Sequence, residues 1–190
     1  MKKKIIVFMT AVMLLGMTVT DPVNVKAYEM EQQKVVTQDQ FANMIDEILQ
    51  IKEAHPEFSE KQIKERMDDM HKSSDKDRGI FDIWNSLTDS EKNLCIRYPF
   101  DALKVNTAKN IATEQTERKF GYSGLGDRSD AFRHGIWNAE MTVLIGKEKA
   151  ELFATAHEDK DTTGTESDGF SKEEHKNMDL HNNSVGRSIG

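Results

Sequence analysis

Apolar positions recur at helical intervals from Phe41 almost to the C-terminus, and alternating β-branched runs are absent. Phe41, Met44, Ile45, Ile48 and Leu49 predict a first helix that opens at a Thr37-x-x-Gln40 capping box and ends before Pro56. Ser59-x-x-Gln62 opens a second, more charged helix with Ile63, Met67 and Met70 on one side, followed by a polar break over 71–77. Phe81, Ile83, Trp84 and Leu87 form a short apolar segment, and Thr88-x-x-Glu91 starts a helix that must stop near Tyr98, because Pro99 follows. Pro99 suits the start of the next helix, whose small residues at 102, 108 and 112 permit close packing on a neighbour.

A glycine-rich turn from Gly121 to Gly126 leads into the most unusual stretch, which runs from Arg128 to Arg187. At 100° per residue, Asp130, Arg133, His134, Trp137, Asn138 and Met141 share one face of a helix, while Phe132, Ile136, Ala139 and Val143 line the other. A helix apolar on both sides is expected to be buried, so 128–146 reads as the central helix of its domain. Lys147 to Glu158 follows as a helix with Ala150, Phe153, Ala154 and His157 on one face. Ser171-x-x-Glu174 caps a last helix with a stripe of Met178, Asn182, Val185 and Ile189. The fold expected is all-α: a compact helical bundle around a buried central helix.

The extreme N-terminus has a different character. Lys2 to Lys4, an apolar run from Ile5 to Val19 and Val25-Lys26-Ala27 match the three regions of a signal peptide, with cleavage after Ala27. The chain then divides into a signal peptide (1–27), an N-terminal helical hairpin or spacer (28–77, beginning with a polar segment) and an α-helical domain (78–190). The protein is expected to be secreted, with no membrane span after cleavage. Cleavage removes four lysines and one aspartate from the chain of net charge −7, leaving 22 basic against 32 acidic residues and a charge of −10. Such a surface argues against general nucleic-acid binding. Cys95 is the only cysteine, which excludes an internal disulfide and a multi-cysteine zinc site, and its apolar neighbours mark it as a core residue.

Three helices thus each carry histidine and carboxylate towards a core, as metal sites in helical bundles do. His134, His157 and Asp179 are the candidate ligands for a divalent metal such as zinc, since imidazole and carboxylate are what zinc takes when cysteine is absent. Asp130, one turn before His134, is placed to orient its ring. Glu158 is the candidate general base, and Arg133 or Arg187 could hold an anionic substrate. Trp137, His181, Asn182 and Asn183 are supporting residues. No HExxH is present, and AHE alone is common by chance. A metal-free acid–base enzyme uses the same residues, pairing His134 with Asp130 or His157 with Glu158. The alternative from another class is a secreted or cell-surface interaction domain whose buried polar network is structural. Two further motifs fail: the glycine turn lacks the strand and Gly-Lys-Ser/Thr of a phosphate loop, and Asp159-x-Asp161 lacks the later ligands of a calcium loop. The acidic loop that starts there could instead cover the site.

The pattern DAFRHxxWNAxM…AHE…MDLHNNxxGR resembles an uncharacterised bacterial domain family associated with exported proteins and with C-terminal modules of surface or toxin-like proteins. The resemblance begins with LTxxEK at Leu87–Lys92 and YPxxA at Tyr98–Ala102 and extends to Gly190. It implies a domain boundary and a site without a known reaction, and the family pattern runs further than this chain, which points to a missing closing helix. Substrate and partner are open: cell-envelope material or a protein partner both suit an exported domain.

Overall fold

The computed structural model describes residues 40–71 and 78–190, and among them the regular elements are helices joined by turns and loops, with no strand beyond an isolated bridge between Thr165 and Ser171. The eight helices are α1 (40–54), α2 (Glu60–His71), α3 (Arg78–Ser86), α4 (Asp89–Arg97), α5 (Pro99–Phe120), α6 (Arg128–Ile145), α7 (Lys147–His157) and α8 (Lys172–Ile189). The expected signal peptide, the polar segment after it, the Thr37 cap and most of the 71–77 break lie outside the described residues. No described helix is long and apolar enough to cross a membrane.

Local chemistry sets the helix limits. Thr88 and Ser171 make complete capping boxes with Glu91 and Glu174. Ser59 and Gln62 exchange the same reciprocal bonds ahead of α2. Pro99 opens α5, where its missing N–H costs nothing, and Gly121 closes that helix in the left-handed region at φ 79°. The capping residue of α6 is Asp127, whose carboxylate accepts from the backbone N–H groups of Ser129 and Asp130. The bond from the Ser129 hydroxyl and these backbone donors hold its pKa down at about 2.

The core is built from Met44, Ile45 and Ile48 of α1, Met67 of α2, Trp84 of α3, Ile96 of α4, the alanines of α5 and Trp137, Met141 and Phe153 of α6 and α7. All the described helices belong to one compact unit. Lys52 donates to the Ile96 carbonyl at 2.8 Å, Trp84 donates to Asp68 at 2.7 Å, and Arg97 grips Glu60 through two bonds of 2.7 and 2.8 Å. Cys95 is buried as expected, and desolvation pushes its thiol up to about 12, so it is an inert core residue.

Two expectations about faces are corrected. Helix α6 packs against α5, α7 and α8 with its Asp130–His134–Trp137–Asn138–Met141 face inward, but its opposite face is only partly covered, and Val143 is 70% exposed. The polar-containing face is therefore the buried one. Helix α8 inverts the expected pattern more fully. Its Val185 and Ile189 point outward, while His175, Asp179, Asn183 and Gly186 are buried. These four recur every three or four residues, so they form one stripe. A helix that buries such a stripe must meet polar partners, and those lie on α6.

Candidate metal centre

The centre forms where the first turns of α6 cross the middle of α8, with the end of α7 beside them. At the crossing the backbones nearly touch: a Cβ on Gly186 would lie 2.2 Å from the Gly135 carbonyl oxygen and 2.9 Å from Cβ of Asn138. This close approach brings Asp130, His134 and Asp179 together, all buried, with one potential ligand atom from each lying within 4.8 Å of the others.

The two ring nitrogens of His134 face different partners. Nε2 stands 3.6 Å from Oδ1 of Asp130 and 3.5 Å from Oδ1 of Asp179, too long for hydrogen bonds but right for ligands arranged around a common ion. Nδ1 lies 3.2 Å from Oδ1 of Asn183 and 3.6 Å from Glu158. Asn183 Oδ1 also accepts from Asn138 Nδ2 at 2.6 Å, so it acts as an acceptor and His134 Nδ1 as the donor. That tautomer leaves the Nε2 lone pair towards the aspartates. Burial of the ring holds His134 below the usual histidine range, against the pull of Glu158 and Asp130 towards the cation. A neutral, Nδ1-protonated imidazole is the form that ligates metals.

The orientation is enforced by a relay of buried amides. Arg187 donates to Asn138 Oδ1 at 3.0 Å, Asn138 donates to Asn183 Oδ1, and Asn183 Nδ2 reaches Glu158 at 3.4 Å. Asp130 is held by Gly126 N–H on one oxygen, at 2.7 Å, and by the Arg133 guanidinium on the other. Arg133 in turn donates to Ser123 and to the Gly124 carbonyl, which ties the glycine-rich turn to α6. Asp179 differs from the rest: its buried Oδ1 has no hydrogen-bond partner. Burial, with Glu158 and Asp130 nearby, pushes its carboxyl up to about 7. With ionised carboxylates and a neutral imidazole, Asp130, Glu158, Asp179 and Arg133 carry a formal charge of −2. Buried charge of this kind has to be neutralised, by a proton or by a cation.

The expected residues are thus sorted by the fold. His134, Asp179 and Asp130 come together, with Asp130 at the group itself and not only behind the His134 ring. His157 stands apart: its Nδ1 is bonded to Glu91 at 2.8 Å, its Nε2 lies 3.3 Å from Lys160, and its ring centre is 6.2 Å from that of His134. Trp137 sits edge-on to both histidine rings. Arg133 and Arg187 are engaged with Asp130 and Asn138. His181 is exposed on the far side of α8, and Asn182 is only partly buried, although its amide nitrogen lacks a partner. Three contributors escaped sequence reasoning. Asn138 carries a legible signal, since it lies one turn after His134 on the same face. Glu91 read only as a capping residue. His175, one turn before Asp179, is paired with Asp168 at 3.0 Å and packs against Gly126, where a Cβ would lie 2.1 Å from its ring. The loop after α7 does not gather its acids as a calcium site: Asp159 accepts from Ser90, and Asp161 accepts from the backbone of Thr163. Its Asp161, Thr162 and Glu166 instead stand around a cavity of about 290 Å³ whose wall includes Glu158 and Asp179.

Fold and site together define an all-α protein with a buried histidine–aspartate group that could hold a metal ion. The chain belongs to the family described as a domain of unknown function, DUF6973, whose model matches residues 92–190, a span that contains the whole group and its amide relay. Neither the curated proteins nor the solved structures include a match to this chain.

Proposed function

We propose that this domain is an exported metal-dependent hydrolase whose ion is held by Asp130, His134 and Asp179. The observation that carries the reading is the partnerless buried oxygen of Asp179 beside the free Nε2 of His134, in a cluster with surplus negative charge. Zinc suits this donor set of one imidazole and two carboxylates. A divalent ion there supplies Lewis-acid polarisation and a more acidic water. The chain's own residues do the rest. Asn183 and Asn138 fix the His134 tautomer, Arg133 and Gly126 hold Asp130, and Glu158 takes the proton of the attacking water. In hydrolysis the hydroxyl adds to the electrophilic centre, and the proton passes from Glu158 to the leaving group as that bond breaks. Export is supported by the basic and apolar segments at the N-terminus, and the acidic balance favours a cell-envelope substrate over nucleic acid.

The second reading is a non-catalytic secreted interaction domain in which the same groups lock three helices together. It is favoured by how completely Arg133, Arg187 and the two asparagines are paired. The two separate in one experiment: Glu158→Gln, loaded with zinc, is assayed beside the native chain on ester, amide and phosphoester substrates. The hydrolase reading expects retained zinc and a loss of activity of about a hundredfold or more. A zinc-loaded native chain inert towards all three classes would establish the structural lock.

A further inference from the structure

We infer that the substrate carries an alkyl or acyl chain, and that this chain lies in the apolar cavity on the α5 side of the site. The inference rests on the hydrolase reading for its chemistry, but the cavity is an independent observation. Its volume is about 470 Å³, within the range of small-molecule sites. Phe41, Ile83, Leu87, Val105 and Phe153 line it, from α1, α3, the turn after α3, α5 and α7. Five segments converging on one space, with apolar side chains from each, leave a chamber that gains from receiving hydrocarbon and loses little by shedding water.

Polar groups stand on this wall as well, among them Ser86, Asn106, Lys109 and Thr113. Glu91, His157 and His134 line the same cavity, and Trp137 touches both rings, so these four form one continuous patch. His134 is the member of the metal-competent group on this wall, whereas Asp179 and the Glu158 carboxylate line the separate cavity of about 290 Å³. A molecule filling the chamber therefore meets hydrocarbon along its length and reaches His134 at that patch. Two cations stand on the same wall: Arg133, which is bonded to Asp130, and the exposed Lys109. A long-chain acyl group fits this wall: its chain lies among the apolar residues and its head end meets the Glu91–His157–Trp137–His134 patch. Glu91 holds His157 by Nδ1, which makes that ring a fixed part of the wall and not a mobile ligand.

The test uses the full chain and a series of carboxylates that stand for the acyl product. Calorimetric titration with butyrate, octanoate and dodecanoate should show affinity rising about tenfold for every two methylenes until the chamber is full. Val105→Phe and Leu87→Trp, which narrow the chamber without touching the metal-competent residues, should each weaken dodecanoate binding at least tenfold while zinc content is unchanged. Equal affinity across chain lengths overturns the inference, as does undiminished dodecanoate binding in either variant once it is folded. Should neither variant fold, the chain-length series on the native protein decides alone. Zinc measured in the same samples separates the two ideas. Zinc without chain-length dependence removes the acyl chain and leaves the hydrolase, whereas dependence without zinc keeps the chamber and removes the metal.

Discussion

Asp179 is the residue on which the proposed metal site turns. Its carboxyl is raised to about 7 from the usual 3.8, first by burial and then by Glu158 and Asp130. A raised carboxylate pKa means that ionisation is costly in the folded state. The cost is absent below about pH 4, grows as pH rises towards 7 and is full above it. In metal-free protein, Asp179→Asn should therefore raise the melting temperature at pH 8 and change it little at pH 4.5. An equal effect at both pH values would show that the carboxylate is not strained by its neighbours. With zinc the order should reverse at pH 8, because the variant loses the ion that stabilises the native chain. At this scale the sequence was informative about which side chains share a face and silent about where each one points. Asp130 and His134 were legible as an i, i+4 pair on a buried face. His157 ends its apolar stripe as expected, yet its ring is taken by Glu91, 66 residues earlier. No helical projection of α7 alone contains that partner.

Among the elements, α8 shows how a short-range pattern can mislead. Its apolar residues suggested one docking face, but the face that docks carries His175, Asp179, Asn183 and Gly186. Hydrophobic periodicity predicts burial against an apolar neighbour, whereas α6 offers Asp130, His134, Asn138 and a bare glycine backbone. The caps, by contrast, were readable because a capping box needs only residues three apart. Gly186 allows a clean test of the crossing. Replacing glycine by alanine inside a helix ordinarily stabilises by about 1 kcal/mol. Here the new methyl meets the Gly135 carbonyl, which is backbone and cannot swing away, and overpacking of this kind costs about 1–3 kcal/mol. The clash should win, so Gly186→Ala is expected to lower the melting temperature by a few degrees and weaken metal retention. A rise in melting temperature would contradict the close crossing.

The loop between α7 and α8 is tied down by a different device. Asp168 bonds His175 and raises its pKa above 6.5, with Glu166 and Asp179 acting in the same direction. The same bond lowers the pKa of Asp168 below 3.8. A raised histidine contributes stability below its unfolded pKa and loses it as pH rises through the folded value; a lowered aspartate contributes above 3.8 and loses its share on acidification. The tether is therefore strongest between about pH 4 and 6.5. Hydrogen exchange over 159–170, corrected for intrinsic rates, should be faster at pH 8.5 than at pH 5.5, and His175→Gln should remove the difference. No change in the native chain would mean that the loop is held by its backbone bonds alone.

On the scale of the whole molecule, an apolar core spread over α1 to α7 supports a polar seam between α6 and α8. The apolar part was legible in outline, because composition and helical spacing both demand a bundle. The seam was legible only in its residue types, since its geometry depends on a glycine-to-backbone contact between segments some fifty residues apart. A bundle closed through such a seam should be completed by a cation, and binding to the folded state alone raises stability in proportion to RT ln(1 + [L]/Kd). The most direct measurement is zinc per chain, by elemental analysis after reloading and desalting, for the native protein and for Asp130→Asn, His134→Ala and His157→Ala. Near-stoichiometric zinc in the native chain and in His157→Ala, with loss in the other two, is the expected result. Zinc absent from the native chain, or lost in His157→Ala while Asp130→Asn keeps it, would contradict the centre described above.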